Sequence, residues 1–284
     1  MRFLLEPLRF SCGRPFRAVL LTSILLAGTV PALADDTTEA NESTESPIVT
    51  DRPTDSASPL LVPRHTFQVE AGYKFTTLDE DGNRIDTQVA PDLLLRYGFS
   101  RRFEGRLVAA GWNFKDSDSG SEGGFTDVSL GAKFPLGQER GRRPQMGLLV
   151  DVSLPVGQSD FTSDYVIPKV LFLASHTLSE RLALTYNTGA SLVTSKDNGG
   201  SRTDADLIYA VALSRATGGK ASLFGELYGA FATGSGRPDR HSIQAGTTIL
   251  LSRIFQIDIR GGVGLVDSEP DWLFGAGLAF RLPF

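Results

Sequence analysis

The sequence predicts an all-β fold: a closed antiparallel transmembrane β-barrel of about twelve strands, connected as an up-and-down meander. Apolar and polar residues alternate with a period of two from about residue 64 onward, which indicates strands rather than helices. Several alternating runs are long enough to cross a bilayer, which takes roughly 9 to 11 residues in a tilted strand. Short turns alternate with longer loops rich in Gly, Ser and Asp, an arrangement typical of membrane barrels.

The N-terminus predicts a cleaved signal peptide over residues 1–34. Four arginines precede an uncharged, largely apolar stretch at 18–30, and Ala32-Leu33-Ala34 supplies a small-x-small cleavage pattern. The apolar stretch is too short for a membrane-anchoring helix, which needs about 20 residues. We therefore expect the mature chain to begin at Asp35 and to be exported.

The composition of the mature chain limits its chemistry. The only cysteine, Cys12, leaves with the signal peptide and the whole chain has three His, so we expect no disulfide, no metal site and no cofactor. Removing the signal removes four Arg and one Glu, which leaves 24 basic and 32 acidic residues and a net charge of −8. An acidic exported chain gives no support for nucleic-acid binding.

Residues 35–62 predict a flexible acidic leader that stays in the periplasm. Most of this stretch is rich in Asp, Glu, Ser, Thr and Pro and has few large apolar side chains. Such a composition cannot bury enough apolar surface to fold by itself. The barrel is assigned to residues 63–284.

Each predicted strand has an apolar row and a polar row. In the second strand the apolar row is expected to start at Val89, and in the third strand Trp112 and Phe114 fall on the polar row, which predicts a bulge or register shift near Ala110. The apolar row of the first strand is Phe67, Val69, Ala71, Tyr73 and Phe75, and the last strand has the longest row: Trp272, Phe274, Ala276, Leu278, Phe280, Leu282 and Phe284.

Three features predict that the apolar rows face lipid and the polar rows face a lumen. The strands are long, aromatic residues lie near strand ends, and the polar rows hold a balanced set of charges that could pair across a confined space. No apolar row contains a charge, which at the bilayer midplane would cost about 2–4 kcal/mol. These charges are Glu70, Asp92, Glu104, Asp127, Asp151, Asp206, Glu226 and Asp258 with Lys74, Arg96, Arg106, Lys133, Lys169, Arg260 and Arg281.

The C-terminus resembles the terminal strand of bacterial outer-membrane proteins, which ends on an aromatic residue read by the barrel-assembly machinery. Here the terminal residue is Phe284, preceded by Phe280 and Leu282 at alternate positions. The expected location is the bacterial outer membrane, with outer-membrane lipids around the barrel. An even strand number places both termini on the periplasmic side.

Four segments carry a resemblance to a known family. They are Thr50-Asp51-Arg52-Pro53, residues 67–73, residues 125–134 and Leu154-Pro155-Val156-Gly157. Their order resembles the outer-membrane family of meta-pathway phenol-degradation proteins, whose members are often labelled transporters. The family usually has Gly near His65, where this chain departs from it. The resemblance implies passage of small solutes across the outer membrane, hydrophobic or aromatic compounds among them.

The lumen charges are the candidate site. One interpretation is structural, with paired charges filling a narrow barrel. The other is a polar constriction that selects solutes. If such a constriction exists, the candidates lie on predicted neighbouring strands: Asp92, Arg96, Glu104, Arg106, Asp258, Arg260 and Arg281.

Two other functions are kept as alternatives to passage of small solutes. The first is a lipid-modifying enzyme using His241 and Ser242 near the outer rim. Adjacent strand residues point to opposite faces, so this pair is not expected to act together and we expect no enzymatic activity. The second is a structural barrel without transport.

Overall fold

The computed structural model describes residues 46–80, 82–197, 200–234 and 236–283. The predicted signal peptide, the first part of the predicted leader (35–45) and Phe284 lie outside the described residues. Within the described residues, no helix is long and apolar enough to span a membrane.

The described chain is one antiparallel sheet that closes on itself. Consecutive strands pair with each other, except that β4 and β5 both pair with β3, and β1 pairs with β13 to complete the ring. The strands are β1 (Thr66–Glu80), β2 (Asn83–Ser100), β3 (Phe103–Ser117), β4 (Gly120–Phe125), β5 (Val128–Gly137), β6 (Gln145–Leu154), β7 (Ile167–Ser179), β8 (Leu182–Asp197), β9 (Gly200–Ala216), β10 (Ala221–Ala232), β11 (Arg240–Ser252), β12 (Phe255–Gly264) and β13 (Trp272–Pro283).

The ring of the barrel has twelve strand positions, as predicted, because β4 and β5 together occupy one of them. Both pair with β3, and Trp112↔Phe125 and Ala109↔Val128 belong to one continuous register. Residues Thr126 and Asp127 therefore interrupt a single long strand. The predicted closed up-and-down barrel is confirmed.

The predicted irregularity near Ala110 is present and involves neighbouring strands. On β3, Asn113 is buried while Trp112 is exposed, so the strand changes which face it turns inward after Val108. On β2 the same change occurs at Pro91, which lies opposite Gly111 and leaves no room there for a Cβ. The prediction that Val89 faces outward is wrong for this reason: its side chain is 3% exposed and lies in the lumen.

The barrel is inverted relative to a soluble protein, as predicted. The largest fully buried side chains are mostly polar or charged, with Arg96, Lys133 and Glu70 among them. Large apolar side chains on the same strands are exposed on the outer surface, for example Leu130, Leu207, Ile259 and Phe274. A surface of this kind is stable only against hydrocarbon, because exposed apolar area in water is unfavourable.

The two rims of the barrel carry opposite charge. We define the short-turn rim as the end with the turns after β2, β5, β7, β9 and β11, and the long-loop rim as the other end. Exposed cations at the short-turn rim, which outnumber the exposed acids Glu139 and Glu180 there, are Arg64, Arg101, Arg102, Arg140, Arg142, Arg143, Arg181, Arg215, Lys220 and Arg253. Exposed acids at the long-loop rim, which outnumber the exposed cations Arg84, Lys115, Arg202 and Arg240 there, are Asp79, Glu80, Asp116, Asp118, Glu122, Asp160, Asp164, Asp239, Asp267 and Asp271. In outer-membrane barrels the short turns face the periplasm.

The prediction of a flexible leader is wrong for its described part, residues 46–62. This segment, which we call the inner leader, lies inside the barrel, where Ile48, Asp51, Ser56 and Val62 are each 6% exposed or less. Composition indicated that the segment cannot build a core of its own. It instead becomes ordered by pairing its polar groups with those of the lumen wall, a source of order that composition does not reveal.

Candidate functional site in the barrel lumen

The inner leader forms a loop that enters and leaves the lumen at the same rim. At its start, Ile48 N donates to Arg253 O (2.7 Å), a carbonyl in the β11–β12 turn. At its end, His65 N donates to Gly98 O (2.8 Å), and β1 begins at Thr66. The residues between these two points contact wall positions well inside the strands, so the loop fills the bore from the short-turn side.

The first attachment of this loop is the carboxylate of Asp51. It accepts hydrogen bonds from Arg106 and from Lys133 (Nζ to Oδ2, 2.9 Å), and Arg96 lies 3.6 Å away. Burial alone would raise the pKa of Asp51, but the surrounding cations outweigh it and hold the pKa of this leader carboxyl well below its usual range. Asp51 is therefore an ionised carboxylate enclosed by wall cations.

Arg96 organises the wall around this attachment. Its guanidinium donates two hydrogen bonds to Glu104 (Nε to Oε1, 2.8 Å, and Nη2 to Oε2, 2.9 Å) and one to Glu70 (3.0 Å). A bidentate pair of this kind fixes both geometry and charge. The carboxylates that accept hydrogen bonds from Arg96 are thus wall residues, although Arg96 also donates to the leader carbonyls of Val49 and Leu60 (3.1 Å each). Arg106 and Lys133 instead have their hydrogen-bonded carboxylate in the leader.

The second attachment is Arg52, which points to a different part of the wall. Its Nη1 donates to Asp92 (2.8 Å), and its Nη2 lies 3.7 Å from Asp258. Gly72 and Gly277 face each other across β1 and β13, and a Cβ at either position would meet the Arg52 guanidinium. The small residues of the wall therefore provide the space in which this side chain lies.

The third attachment holds the turn of the loop. Glu226 accepts hydrogen bonds from the backbone N–H groups of Asp55 (2.8 Å) and Ser56 (2.7 Å). Asn187 pairs with the backbone of Ala57 in both directions, accepting from its N–H (2.6 Å) and donating to its carbonyl (3.0 Å). The polar backbone of the inner leader is therefore satisfied by wall side chains, as buried backbone requires.

The inner leader also separates two cavities. One, of about 280 Å³, lies toward the short-turn rim and is lined by Thr185, Ser214 and Phe224 among others. The other, of about 270 Å³, lies on the long-loop side and is lined by both charged and apolar groups, including Arg106, Leu149 and Leu171. Leu149, Leu171 and Leu173 form an apolar patch of the wall with Ala57 of the leader.

Comparison with known proteins identifies the family. Residues 50–282 match the family described as "Putative MetA-pathway of phenol degradation". The chain belongs to this family. No curated protein sequence matches it significantly.

Solved structures similar to this family member include porins and a channel. The NanC porin is 8% identical with a TM-score of 0.51, and the match covers 76% of this chain and all of that one. The KdgM porin is 9% identical (TM-score 0.45; 75% and 98% covered), and the CymD monoaromatic hydrocarbon channel is 10% identical (TM-score 0.39; 78% and 89% covered). The likeness to the NanC porin shows that this member of the phenol-degradation family has a porin-like β-barrel fold.

The structure divides the predicted site residues of this family member into two clusters and two separate residues. Arg96, Glu104 and Arg106 lie together around Asp51, and Asp92 and Asp258 both flank Arg52. Arg260 donates to Pro53 O and Gln244. Arg281 lies apart at the short-turn rim, where it donates to Ser46 O (2.9 Å).

Several residues at this site were not among the predicted candidates. Asp51 and Arg52 belong to a motif that carried the family resemblance, but the segment containing them was assigned to the periplasm. Lys133 and Glu226 belong to the predicted lumen charges but not to the predicted constriction. An adjacent acid and base in an otherwise uncharged stretch, residues 46–54, is the signal that could have indicated a leader built to pair with a charged wall.

The residues of the enzyme alternative do not act together in the structure of this family member. Ser242 faces the lumen, where its Oγ donates to Glu269 (2.8 Å). His241 is on the outer face, with its Nδ1 3.0 Å from the Tyr209 hydroxyl. Within the described residues no group of three or more His, Cys, Asp or Glu side chains could hold a metal ion.

Proposed function

We propose that this protein is an outer-membrane channel for small solutes and that its inner leader closes the bore. The observation that carries the proposal is the attachment of residues 46–62 to the lumen wall by ion pairs and hydrogen bonds. Wall charges freed by departure of the leader would be rehydrated, so the net free energy that favours docking is a small difference between large terms. Such a segment can close a pore and still leave it.

The shape of the bore supports passage once the leader has left. Cavities of about 280 and 270 Å³ already lie on its two sides, and the lumen wall around them is lined by both polar and apolar side chains. Each cavity is slightly smaller than the range of roughly 300–1,000 Å³ typical of sites for drug-sized ligands. The solutes are therefore expected to be small.

The family description and the wall both support hydrophobic or aromatic compounds among these solutes. The description refers to phenol degradation, and the lumen contains an apolar patch of Leu149, Leu171 and Leu173. An apolar patch in an otherwise charged bore gives a ring a place to make contact without dehydrating charges. We further propose that a signal peptide over residues 1–34 directs export and that the barrel-assembly machinery recognises Phe284.

Conductance of the refolded mature protein in planar bilayers tests this function. The leader-release variant, Asp51→Asn with Arg52→Gln, removes the two buried ionic attachments of the inner leader. We expect its mean conductance to exceed that of the wild type by about tenfold or more, because losing a buried ionic partner costs about 3–5 kcal/mol.

Asp55→Asn is the control, because it removes a leader carboxylate that is half-exposed rather than buried. It should behave like the wild type. Equal conductance of wild type and leader-release variant would contradict closure by the leader. Lack of current in both would contradict the channel function itself.

A further inference from the structure

The two wall cations that contact Asp51 most closely have all their close acceptors in the inner leader. Lys133 donates to Asp51 and to the carbonyls of Ser58 (2.8 Å) and Leu60 (3.4 Å), all in the leader. Arg106 donates to Asp51. Among the described residues, the wall acid near both cations is Glu104, at 3.6 Å from Arg106 and 3.9 Å from Lys133.

Glu104 is not free to replace Asp51. Both of its oxygens already accept hydrogen bonds from Arg96, and Val62 N of the leader donates to Oε2 (2.7 Å). When the leader leaves, Arg96 therefore remains paired, whereas Arg106 and Lys133 face the bore without an anion in hydrogen-bond contact. Buried cations in this situation favour any acceptor of compatible shape.

We propose that Arg106 and Lys133 form an anion-binding site in the open bore, that Asp51 occupies this site when the channel is closed, and that the solutes it takes are small carboxylates. This inference rests on the proposed function and names the solute class of the same lumen. Asp51 is itself a carboxylate, and its position shows the geometry that the site accepts: Lys133 Nζ contacts both oxygens, at 3.2 and 2.9 Å.

The surroundings of the site fit a carboxylate with an apolar body. Asp51 and Arg106 line the 270 Å³ cavity together with Val108, Leu149 and Leu171. A solute whose carboxylate takes the place of the Asp51 carboxylate would have these apolar side chains within the same cavity. A neutral solute of equal shape would leave the two cations unpaired and should bind more weakly.

The test compares two single-ring solutes of nearly equal shape, benzoate and neutral benzamide, in the leader-release variant. Each is added to single channels in planar bilayers, and the concentration that halves the current is measured. We expect benzoate to act at about tenfold lower concentration than benzamide, the ratio that corresponds to one charge-assisted hydrogen bond.

Variants of Arg106 and Lys133 test whether the difference between benzoate and benzamide arises at these two cations. Arg106→Gln and Lys133→Gln, each in the leader-release background, should bring the two solutes to within about twofold of each other. Arg106→Lys keeps the charge and should retain most of the preference. Arg240→Gln removes a cation that is paired with Asp206 (3.0 Å) and does not line this cavity, and the preference should persist.

The outcomes separate this inference from the function on which it rests. Equal potency of benzoate and benzamide, with current flowing, overturns the anion site and leaves the channel function intact. A preference for benzoate that survives in both Arg106→Gln and Lys133→Gln also overturns it. No current in the leader-release variant overturns the channel function and this inference with it.

Discussion

At the scale of single residues, the environments of two leader carboxylates differ sharply. Asp51 is buried among three cations, whereas the side chain of Asp55 is 46% exposed and lies 3.4 Å from Arg260. A half-exposed ion pair contributes little because solvent screens it. Asp51 should therefore dominate the attachment of the leader, although both residues carry the same charge.

Labelling of a cysteine in the leader measures this difference. Ser56 is 3% exposed, and the predicted mature chain has no cysteine, so Ser56→Cys provides a single reporter. Asp51→Asn should increase its maleimide labelling rate by about tenfold or more, because two wall cations lose their carboxylate. Asp55→Asn should change the rate by less than about threefold. Equal rates for the two variants would show that Asp51 has no special role.

At the scale of elements, the strands β2 and β3 change their inward face at one level of the barrel. Gly111 permits this change because it has no Cβ and Pro91 of β2 lies against it. A Cβ at position 111 would lie 2.6 Å from Pro91 O and 2.7 Å from Pro91 Cδ. Neither atom can move without shifting the β2 backbone. Gly111 is therefore required by the packing of two adjacent strands.

Substitution of Gly111 by Val tests this packing. Overpacking should destabilise the barrel by about 1–3 kcal/mol, measured as the loss in unfolding free energy in urea with detergent-refolded protein. Gly225→Val is the matched control, because nothing lies within 4 Å of a Cβ at that position. Its effect should stay within about 0.5 kcal/mol. A Gly111→Val protein as stable as the control would show that the backbone adapts freely there.

Sequence reasoning succeeded where one strand's own residues determine the outcome. A charge such as Asp258 cannot face lipid, so the alternation around it fixes the inward face of β12. It failed for Val89 because the change of face depends on the meeting of Pro91 and Gly111 across two strands. It failed for the inner leader because Asp51 and Lys133, which are 82 positions apart, pair only after the barrel has closed.

At the scale of the whole molecule, the charge runs from basic at the short-turn rim to acidic at the long-loop rim. The exposed residues that produce this polarity lie around the two mouths of the bore rather than in its wall. Fixed charge at a mouth changes the local concentration of counter-ions. Cations should accumulate at one mouth of the open channel and anions at the other.

Current–voltage curves of the leader-release variant in a single orientation test this polarity. In 0.1 M KCl, where the Debye length is about 10 Å, currents at opposite voltages should differ in size. In 1 M KCl, where it is about 3 Å, the asymmetry should largely disappear. A curve equally symmetric at both salt concentrations would indicate that the rim charges do not reach the permeation path.

The most direct test of the account is a cross-link between the turn of the inner leader and the wall. Ala57→Cys with Asn187→Cys replaces a pair of residues that are joined by two hydrogen bonds. Ala57→Cys with Asn113→Cys is the control, because the Asn113 side chain donates to Ala110 O of the wall. The cross-link is made in the leader-release variant, and conductance is measured before and after reduction. The account predicts a disulfide in the first pair only, with a closed channel that opens on reduction. Failure of the first pair to cross-link, or current that is the same before and after reduction, would contradict a leader that closes the bore.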